Sequence, residues 1–174
     1  MLLIQRPAPE EFLPYYGRYI DLVPGEDLIG ALRSGADATR ALLEPLPEAR
    51  GDHRYAPGKW SVKEVLGHVL DCERVFVYRA LRFARNDATP LPGFDENAWM
   101  PHSAFHTRTL RSLLDEHRAV RGATIAFFEN LSEEGWGRIG TANGARMSAR
   151  AAAFVIAGHE LHHVKILRER YLSA

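Results

Sequence analysis

Cysteine is nearly absent from this sequence, and its scarcity limits the metal and redox chemistry that the chain can carry. Cys72 is the single cysteine among 174 residues. One thiol excludes an internal disulfide framework and any zinc ribbon built entirely from cysteines. A metal site in this chain therefore has to depend on histidine and carboxylate side chains, and eight histidines are present.

An excess of charge of one sign is also absent. The 22 Lys and Arg residues are balanced by 22 Asp and Glu residues, so the charge does not point to nucleic acid or an anionic membrane as a partner. No apolar run is long enough to span a bilayer, and the three apolar residues at positions 2–4 are too few for the core of a secretory signal. We therefore expect a cytoplasmic protein that binds a small molecule, with no nucleic acid and no membrane as partner.

The apolar pattern and the residues that interrupt it predict an all-α fold. With 46% hydrophobic residues, the chain is able to form one compact domain over residues 1–174, in which the proline-rich residues 1–25 form an irregular, docked N-terminal arm. No segment alternates as a strand does, and the loops suit antiparallel neighbours, so we expect an antiparallel four-helix bundle. The predicted helices cover about residues 26–43, 62–86, 104–129 and 149–171.

Caps and breakers mark the ends of these helices. In "WSVKE", Ser61 and Glu64 match a capping box, so a helix should begin directly after Ser61. The segment 86–103, "NDATPLPGFDENAWMPHS", cannot continue that helix because of its prolines and glycine. A loop this long in a compact domain is more often a functional lid than filler. Residues 131–147 are rich in glycine and predict turns, with a short helical turn capped by Ser132.

The clearest chemical motif is "GHELHHVKI" near the end of the chain, which matches H-E-x-x-H with His159, Glu160 and His163. His162 lies about 100° round the predicted helix from His163 and is expected to face a neighbour or solvent. Two neutral imidazoles buried together without a shared partner are poorly satisfied, and a divalent metal resolves that better than packing does. At helical spacing the outer two histidines share one stripe with apolar residues, namely Ala152, Ile156 and Ile166.

A third ligand is expected from the second predicted helix. His68 there lies on one line with Val65, Cys72 and Val75, so it also faces the core. Three histidines from two helices leave coordination positions open for water or substrate; the alternative for His68 is a core histidine with a hydrogen-bonded ring. His117, on the apolar stripe of the third helix, is the reserve ligand. Cys72 is a possible ligand or nucleophile, although such a cysteine is more often a small buried residue.

Two other interpretations concern the protease pattern and the arginines. The extended zinc-protease motif needs Gly at 166 and His at 169, where this chain has Ile166 and Glu169, and there is no predicted strand to hold an extended substrate. Glu160 remains a candidate catalytic general base beside the metal, with an exposed helix carboxylate as the alternative. Arg79 and Arg82 either hold an anionic substrate or pair with helix carboxylates.

Several stretches, "WSVKEVLGH", "DCERVFVYRALRFARND", "PLPGFDENAW" and "HELHH", resemble the DinB/YfiT-like superfamily of bacterial metal-binding four-helix proteins. The resemblance covers nearly the whole chain from about Gly25. It implies an antiparallel four-helix bundle of unusual connectivity, often a homodimer, with a divalent metal on histidines that match His68, His159 and His163. Members of known activity are thiol-dependent enzymes, including bacillithiol transferases and mycothiol-dependent isomerases.

These expectations lead to three hypotheses about function. The first is a metal-dependent enzyme that transfers a low-molecular-weight thiol, as cosubstrate, to an electrophilic small molecule, because a metal with an open position can bind a thiol and lower its pKa. The second is a hydrolase in which the same metal activates water. The third is a protein without catalytic activity that binds a metal or another ligand. Imidazole ligands do not decide among zinc, nickel, iron, manganese and cobalt.

Overall fold

Four long helices dominate the computed structural model, which describes residues 3–172. A π-helical turn, Leu167–Tyr171, extends the last of them. The elements are, in chain order, α1 (Gly17–Ile20), α2 (Leu28–Leu43), α3 (Val62–Ala84), α4 (Glu96–Trp99), α5 (Leu110–Glu129), α6 (Glu133–Gly137), β1 (Ile139–Ala142), β2 (Ala145–Ser148) and α7 (Ala149–Ile166). The predicted all-α, four-helix fold is confirmed; a single domain over residues 1–174 stays a prediction. In the described part of the chain, no helix has both the length and the apolar content to cross a membrane.

The bundle consists of α2, α3, α5 and α7, and their order around it is unusual. Both α7 and α5 pack against α2 and against α3. The consecutive helices α2 and α3 therefore lie diagonally across the bundle from each other. In α7, every residue from Ala151 to Glu160 is buried, so this helix has neighbours on all sides instead of one apolar face.

The N-terminal arm, residues 3–25, contains short helical turns, including α1. It packs against α7, and the two backbones come close together at Gly158. A Cβ at that position would lie only 1.9 Å from the carbonyl oxygen of Tyr19, so glycine is required for this approach. The ring of Tyr19 then packs edge-on against His159, with 5.2 Å between the centroids. The arm thus forms part of the surroundings of the H-E-x-x-H motif.

Three helix starts follow caps visible in the sequence. Ser61 Oγ accepts from the backbone N–H of Glu64 at 3.2 Å, and the backbone N–H of Ser61 donates to the Glu64 carboxylate at 2.7 Å. The predicted capping box is therefore present at the start of α3. Ser132 and Ser148 cap α6 and α7, each through its hydroxyl oxygen.

The predicted start of the third long helix, at residue 104, is wrong. A 3₁₀ turn occupies Phe105–Thr107, and α5 begins only at Leu110. Thr109 has an extended backbone and its side chain accepts from the N–H of Ser112, which fixes the first turn of α5 at that point. The long loop after α3 therefore continues several residues further than expected.

The expectation that the chain has no strands is also wrong, because β1 and β2 form an antiparallel hairpin. Its turn is Asn143-Gly144, with φ of 53° and 71°, the conformation that favours this dipeptide in tight hairpins. Each strand has only four residues, so alternation was too short to stand out. The loop 86–103 joins the hairpin: the N–H of Leu91 donates to the carbonyl oxygen of Thr141 at 2.9 Å.

Candidate metal centre

His68, His159 and His163 come together inside the bundle. The four-residue spacing on α7 places His159 and His163 on one face, and α3 brings His68 against them. Nε2 of His159 lies 3.1 Å from Nε2 of His68 and 3.1 Å from Nε2 of His163. The ring centroids of His68 and His163 are 5.0 Å apart. The structure therefore brings together the three side chains that the sequence predicted as ligands.

Hydrogen bonds alone do not satisfy this cluster. A neutral imidazole nitrogen offers either one proton or one lone pair, so Nε2 of His159 can bond to one neighbouring imidazole but not to both. Nδ1 of His163 is also buried, without a hydrogen-bond partner among residues 3–172. Two imidazole nitrogens bound to zinc at about 2.0–2.1 Å lie about 2.8–3.4 Å apart for angles between a right angle and the tetrahedral angle. Both separations measured from Nε2 of His159 fall in that range, so the pairs His68–His159 and His159–His163 each fit two ligands of a divalent metal.

Burial keeps these imidazoles in their neutral form. It lowers the pKa of His68 to about 4 and that of His163 to about 3. The pKa of His159 is also well below its ordinary value, because of its burial and then because of the neighbouring histidines. Neutral imidazole is the form that binds metals. At neutral pH, all three rings are therefore ready to act as ligands.

Cys72 is a second candidate for the third ligand. Its Sγ lies 3.6 Å from Nδ1 and 3.7 Å from Nε2 of His68. His68, Cys72 and His159 offer donor atoms that all lie within 4.8 Å of one another. Burial raises the pKa of the thiol, and the negative charge of Glu96 adds to the effect, so the thiol on its own stays protonated. The two possible donor sets share His68 and His159 and differ only in the third member.

Glu160 lies apart from the histidines beside it in the motif. Its side chain is only 1% exposed, so the expected exposed carboxylate is wrong. The carboxylate accepts from Thr39 Oγ1 at 2.7 Å and from Arg121, and it lies 2.8 Å from Nε2 of His117. Burial raises the pKa of Glu160, but Arg121 and the other partners outweigh burial and bring it to about 2. Glu160 is thus an ionised group with partners of its own, and its role as a general base stays a prediction.

Arg121 completes this buried ion cluster. Its Nε and Nη2 donate to the two carboxylate oxygens of Glu73 at 2.9 Å and 2.8 Å, a bidentate pair. The cluster therefore connects α3 and α7 through a side chain of α5. His117, the reserve metal ligand, contacts Glu160 here, so the structure does not bring it into the histidine cluster.

The histidine cluster borders two pockets of a size suited to small molecules. The first has a volume of about 270 Å³ and exposes His68, Cys72 and His159. The second has a volume of about 230 Å³ and exposes His163. Aromatic rings contribute much of the wall of the first pocket: Tyr16, Tyr19, Phe76 and Phe94.

The loop 86–103 supplies wall residues that sequence reasoning did not assign to the site. Phe94 and Glu96 line the first pocket, and Asn97 lines the second. Phe94 stacks on Trp99, with 4.8 Å between the ring centroids. The expectation of a functional lid pointed to this segment. That expectation did not identify these side chains. The loop has no helical or strand periodicity from which to predict which of its residues face the pocket.

Arg79 and Arg82 have different surroundings, although both follow His68 on α3. Arg82 pairs with Asp87 and donates to the hydroxyl of Tyr78, so it forms a salt bridge, although Asp87 follows α3 and is not a helix carboxylate. Arg79 is only 2% exposed, lines the first pocket, and donates through Nη2 to the carbonyl oxygen of Pro92 at 3.0 Å. Of these two arginines, Arg79 is therefore the one placed to contact a ligand in that pocket.

Comparison with known proteins assigns the chain to a family. Residues 31–167 match the model of the DinB superfamily, and the chain belongs to that superfamily. No curated protein is significantly similar to it in sequence.

Two solved structures share the fold. The first is YfiT from Bacillus subtilis, described as a probable metal-dependent hydrolase with an unusual four-helix bundle topology. Its TM-score is 0.71 at 17% identity, over 95% of this chain and 91% of YfiT. The second is the mycothiol-dependent maleylpyruvate isomerase, with a TM-score of 0.65 at 20% identity over 84% of this chain. This chain covers 61% of the isomerase. At these identities the likeness establishes the fold.

Proposed function

We propose that this protein is a metal-dependent enzyme that transfers a low-molecular-weight thiol to an electrophilic small molecule. The observation that carries the proposal is that Nε2 of His159 lies 3.1 Å from Nε2 of both His68 and His163, and that these histidines line two pockets of small-molecule size. The likeness to a mycothiol-dependent enzyme supports a thiol as the second substrate.

In this proposal, Nε2 of His68, His159 and His163 hold the metal, with Cys72 as the alternative third ligand. A divalent ion of zinc, nickel, iron, manganese or cobalt with an open position supplies a Lewis acid, which lowers the pKa of a bound thiol or water. The neutral state of the buried imidazoles favours binding, since no proton has to be displaced at neutral pH.

The first pocket binds the electrophile. Rings such as Tyr19 and Phe94 exclude water and stack on a flat substrate. Glu96, a partly buried carboxylate in the same wall, accepts the proton that leaves the thiol sulfur. With an activated double bond as electrophile, the sulfur–carbon bond forms, the π electrons move to the neighbouring carbon, and that carbon takes the proton back from Glu96. Atoms and charge then balance without another reagent.

A hydrolase is the second candidate, supported by the likeness to YfiT over 95% of this chain. It uses the same ligands and pockets, with water in place of the thiol. A protein that binds a metal or ligand without catalysis is the third reading, and binding without turnover would identify it. A homodimer and a cytoplasmic location complete the proposal; light scattering after gel filtration and fractionation of the source cells test them.

Metal analysis of the purified protein by mass spectrometry tests the centre. We expect His68→Ala to lose most of the bound metal, because His68 belongs to both possible donor sets. If His163→Ala loses the metal and Cys72→Ser retains it, the third ligand is His163. The reverse result would identify Cys72 as the third ligand. His102→Ala is the control, since His102 lies exposed in the loop. Full retention of metal by His68→Ala would contradict the proposed centre.

Activity assays then separate the candidate reactions. The metal-loaded protein is supplied with bacillithiol, mycothiol or glutathione and a panel of electrophiles, and separately with a panel of esters and amides. Thiol conjugation that stops on chelation is the expected result. Hydrolysis without any thiol would favour the second candidate, and metal binding without turnover in either panel would favour the third.

A further inference from the structure

Arg79 is a buried cation without an acidic partner. It is only 2% exposed, and no carboxylate among residues 3–172 lies within ion-pair distance of its guanidinium. Arg121, which is buried to the same extent, pairs with both Glu73 and Glu160. Taking a guanidinium out of water without a counter-ion is costly. The contrast between the two arginines indicates that the counter-ion of Arg79 comes from outside residues 3–172.

The neighbours of Arg79 hold its guanidinium in place without neutralising it. One N–H of Nη2 donates to the carbonyl oxygen of Pro92 at 3.0 Å. The central carbon lies 5.2 Å from the ring centroid of Phe76 and 5.5 Å from that of Phe94. The hydroxyl of Tyr16 lies close enough for Arg79 to oppose the rise in its pKa that burial causes. A guanidinium has five N–H donors in a fork that matches a carboxylate, so capacity for an anion remains.

The position of Arg79 directs a bound anion towards one end of the first pocket. Arg79 follows His68 by eleven residues on α3, which corresponds to about 16 Å along the helix axis. Long side chains on a helix lean towards its N-terminus, which brings the guanidinium back towards His68. The same pocket exposes Arg79 and His159. A ligand with an anionic group at Arg79 can therefore extend towards the histidines.

Glu96 gives the pocket a direction. It lines the first pocket and also a small space beside His68 and Cys72. Arg79 lines the first pocket but not that small space, so the carboxylate of Glu96 lies nearer than Arg79 to the histidine end. An anion is repelled there and attracted at Arg79. A ligand with one anionic end and one uncharged end thus has a single favourable orientation, with its uncharged end at the histidines.

From this placement we propose that Arg79 binds the anionic group of the substrate, and that the first pocket takes small carboxylic acids with a flat unsaturated or aromatic body. The aromatic wall that includes Phe76 and Phe94 suits such a body. The inference rests on the proposed function in one respect, because it takes the first pocket as the substrate site.

The test compares para-fluorobenzoate with the neutral para-fluorobenzamide by fluorine NMR titration of the full-length protein. The titration is done with metal bound and again after chelation. We expect the acid to bind at least about tenfold more tightly than the amide in both forms. Arg79→Gln should remove this preference and keep the metal, and Arg79→Lys should keep only part of it. Arg82→Gln, which changes an arginine paired outside the pocket, should behave as the wild type does.

Equal affinity for acid and amide would overturn the proposal, and so would a preference for the acid that survives in Arg79→Gln. If Arg79→Gln keeps the preference for the acid with metal bound but loses it on chelation, the carboxylate binds the metal. If this variant keeps the preference in both forms, Arg79 has only the role of holding the loop through Pro92. If Arg79→Gln does not fold, the wild-type comparison together with Arg79→Lys decides, and unchanged affinity for the acid in Arg79→Lys would overturn the proposal. If the protein takes up no metal when metal is supplied and still shows the Arg79-dependent preference, the proposed function fails and this inference stands.

Discussion

Replacing Glu160 by glutamine separates a structural role of this residue from a catalytic one. The carboxylate is 1% exposed and pairs with Arg121. Glutamine keeps the size of the side chain and an oxygen for Thr39, but among residues 3–172 it leaves Arg121 with Glu73 as its one counter-ion. Breaking a buried ion pair by removing one partner costs about 3–5 kcal/mol. Because Glu73 stays in place, we expect about 3 kcal/mol, which corresponds to a fall in Tm of about 6–12 °C for a chain of this size.

Urea unfolding followed by circular dichroism measures this loss, with metal content determined on the same samples. Glu169→Gln is the matched control, because it changes an exposed carboxylate near the end of the same helix; a change within about 0.5 kcal/mol is expected there. A loss below about 1 kcal/mol for Glu160→Gln would refute the inferred contribution of the ion cluster. Loss of turnover with unchanged stability and metal content would instead identify Glu160 as a catalytic base.

Two further predictions concern the N-terminal arm. Gly158→Ala should lower the melting temperature strongly, because its Cβ would lie 1.9 Å from the carbonyl oxygen of Tyr19, whereas a Cβ at Gly122 meets nothing within 4 Å. Gly122→Ala should stabilise by about 0.5–1 kcal/mol, and the reverse order in thermal unfolding would contradict the described packing. Burial raises the pKa of Glu11, but Arg150, Ser148 and the backbone N–H of Ala8 together outweigh burial and hold the pKa below 4.5. Its stabilisation is therefore present above that value and lost as the pH falls through the lowered pKa, so wild type should lose more stability on acidification than Glu11→Gln; parallel pH curves would speak against it.

The pair of histidines on α7 could be predicted from the sequence because it depends on helical geometry alone. The four-residue spacing of His159 and His163 places both on one face in any α-helix. His68 followed from the apolar line on its own helix. The spacing does not identify the third ligand beside His68 and His159. Whether Cys72 or His163 is close enough to both depends on how α3 and α7 pack.

The environment of Glu160 was not predictable from the helix alone. Its position, about 100° from His159, indicates a different face but not whether solvent or another helix covers that face. The signal that was available is the nearly uninterrupted run of small and apolar residues over 151–158, "AAAFVIAG", since a helix that is apolar all round is enclosed. The hairpin had a signal as well, in the Asn143-Gly144 dipeptide.

Adjacent positions of α7 serve two separate clusters, and this has a consequence for the choice of ion. His159 belongs to the histidines, while Glu160 is tied through Arg121 to Glu73 on α3. The ion cluster therefore fixes the rotation of α7 relative to α3 without help from a metal, and with it the distance from His159 to His68. An ion bound as we propose has to match this spacing. We therefore expect the proposed centre to prefer ions that bind imidazole nitrogen at about 2.0–2.1 Å over calcium, which takes oxygen ligands at about 2.3–2.6 Å.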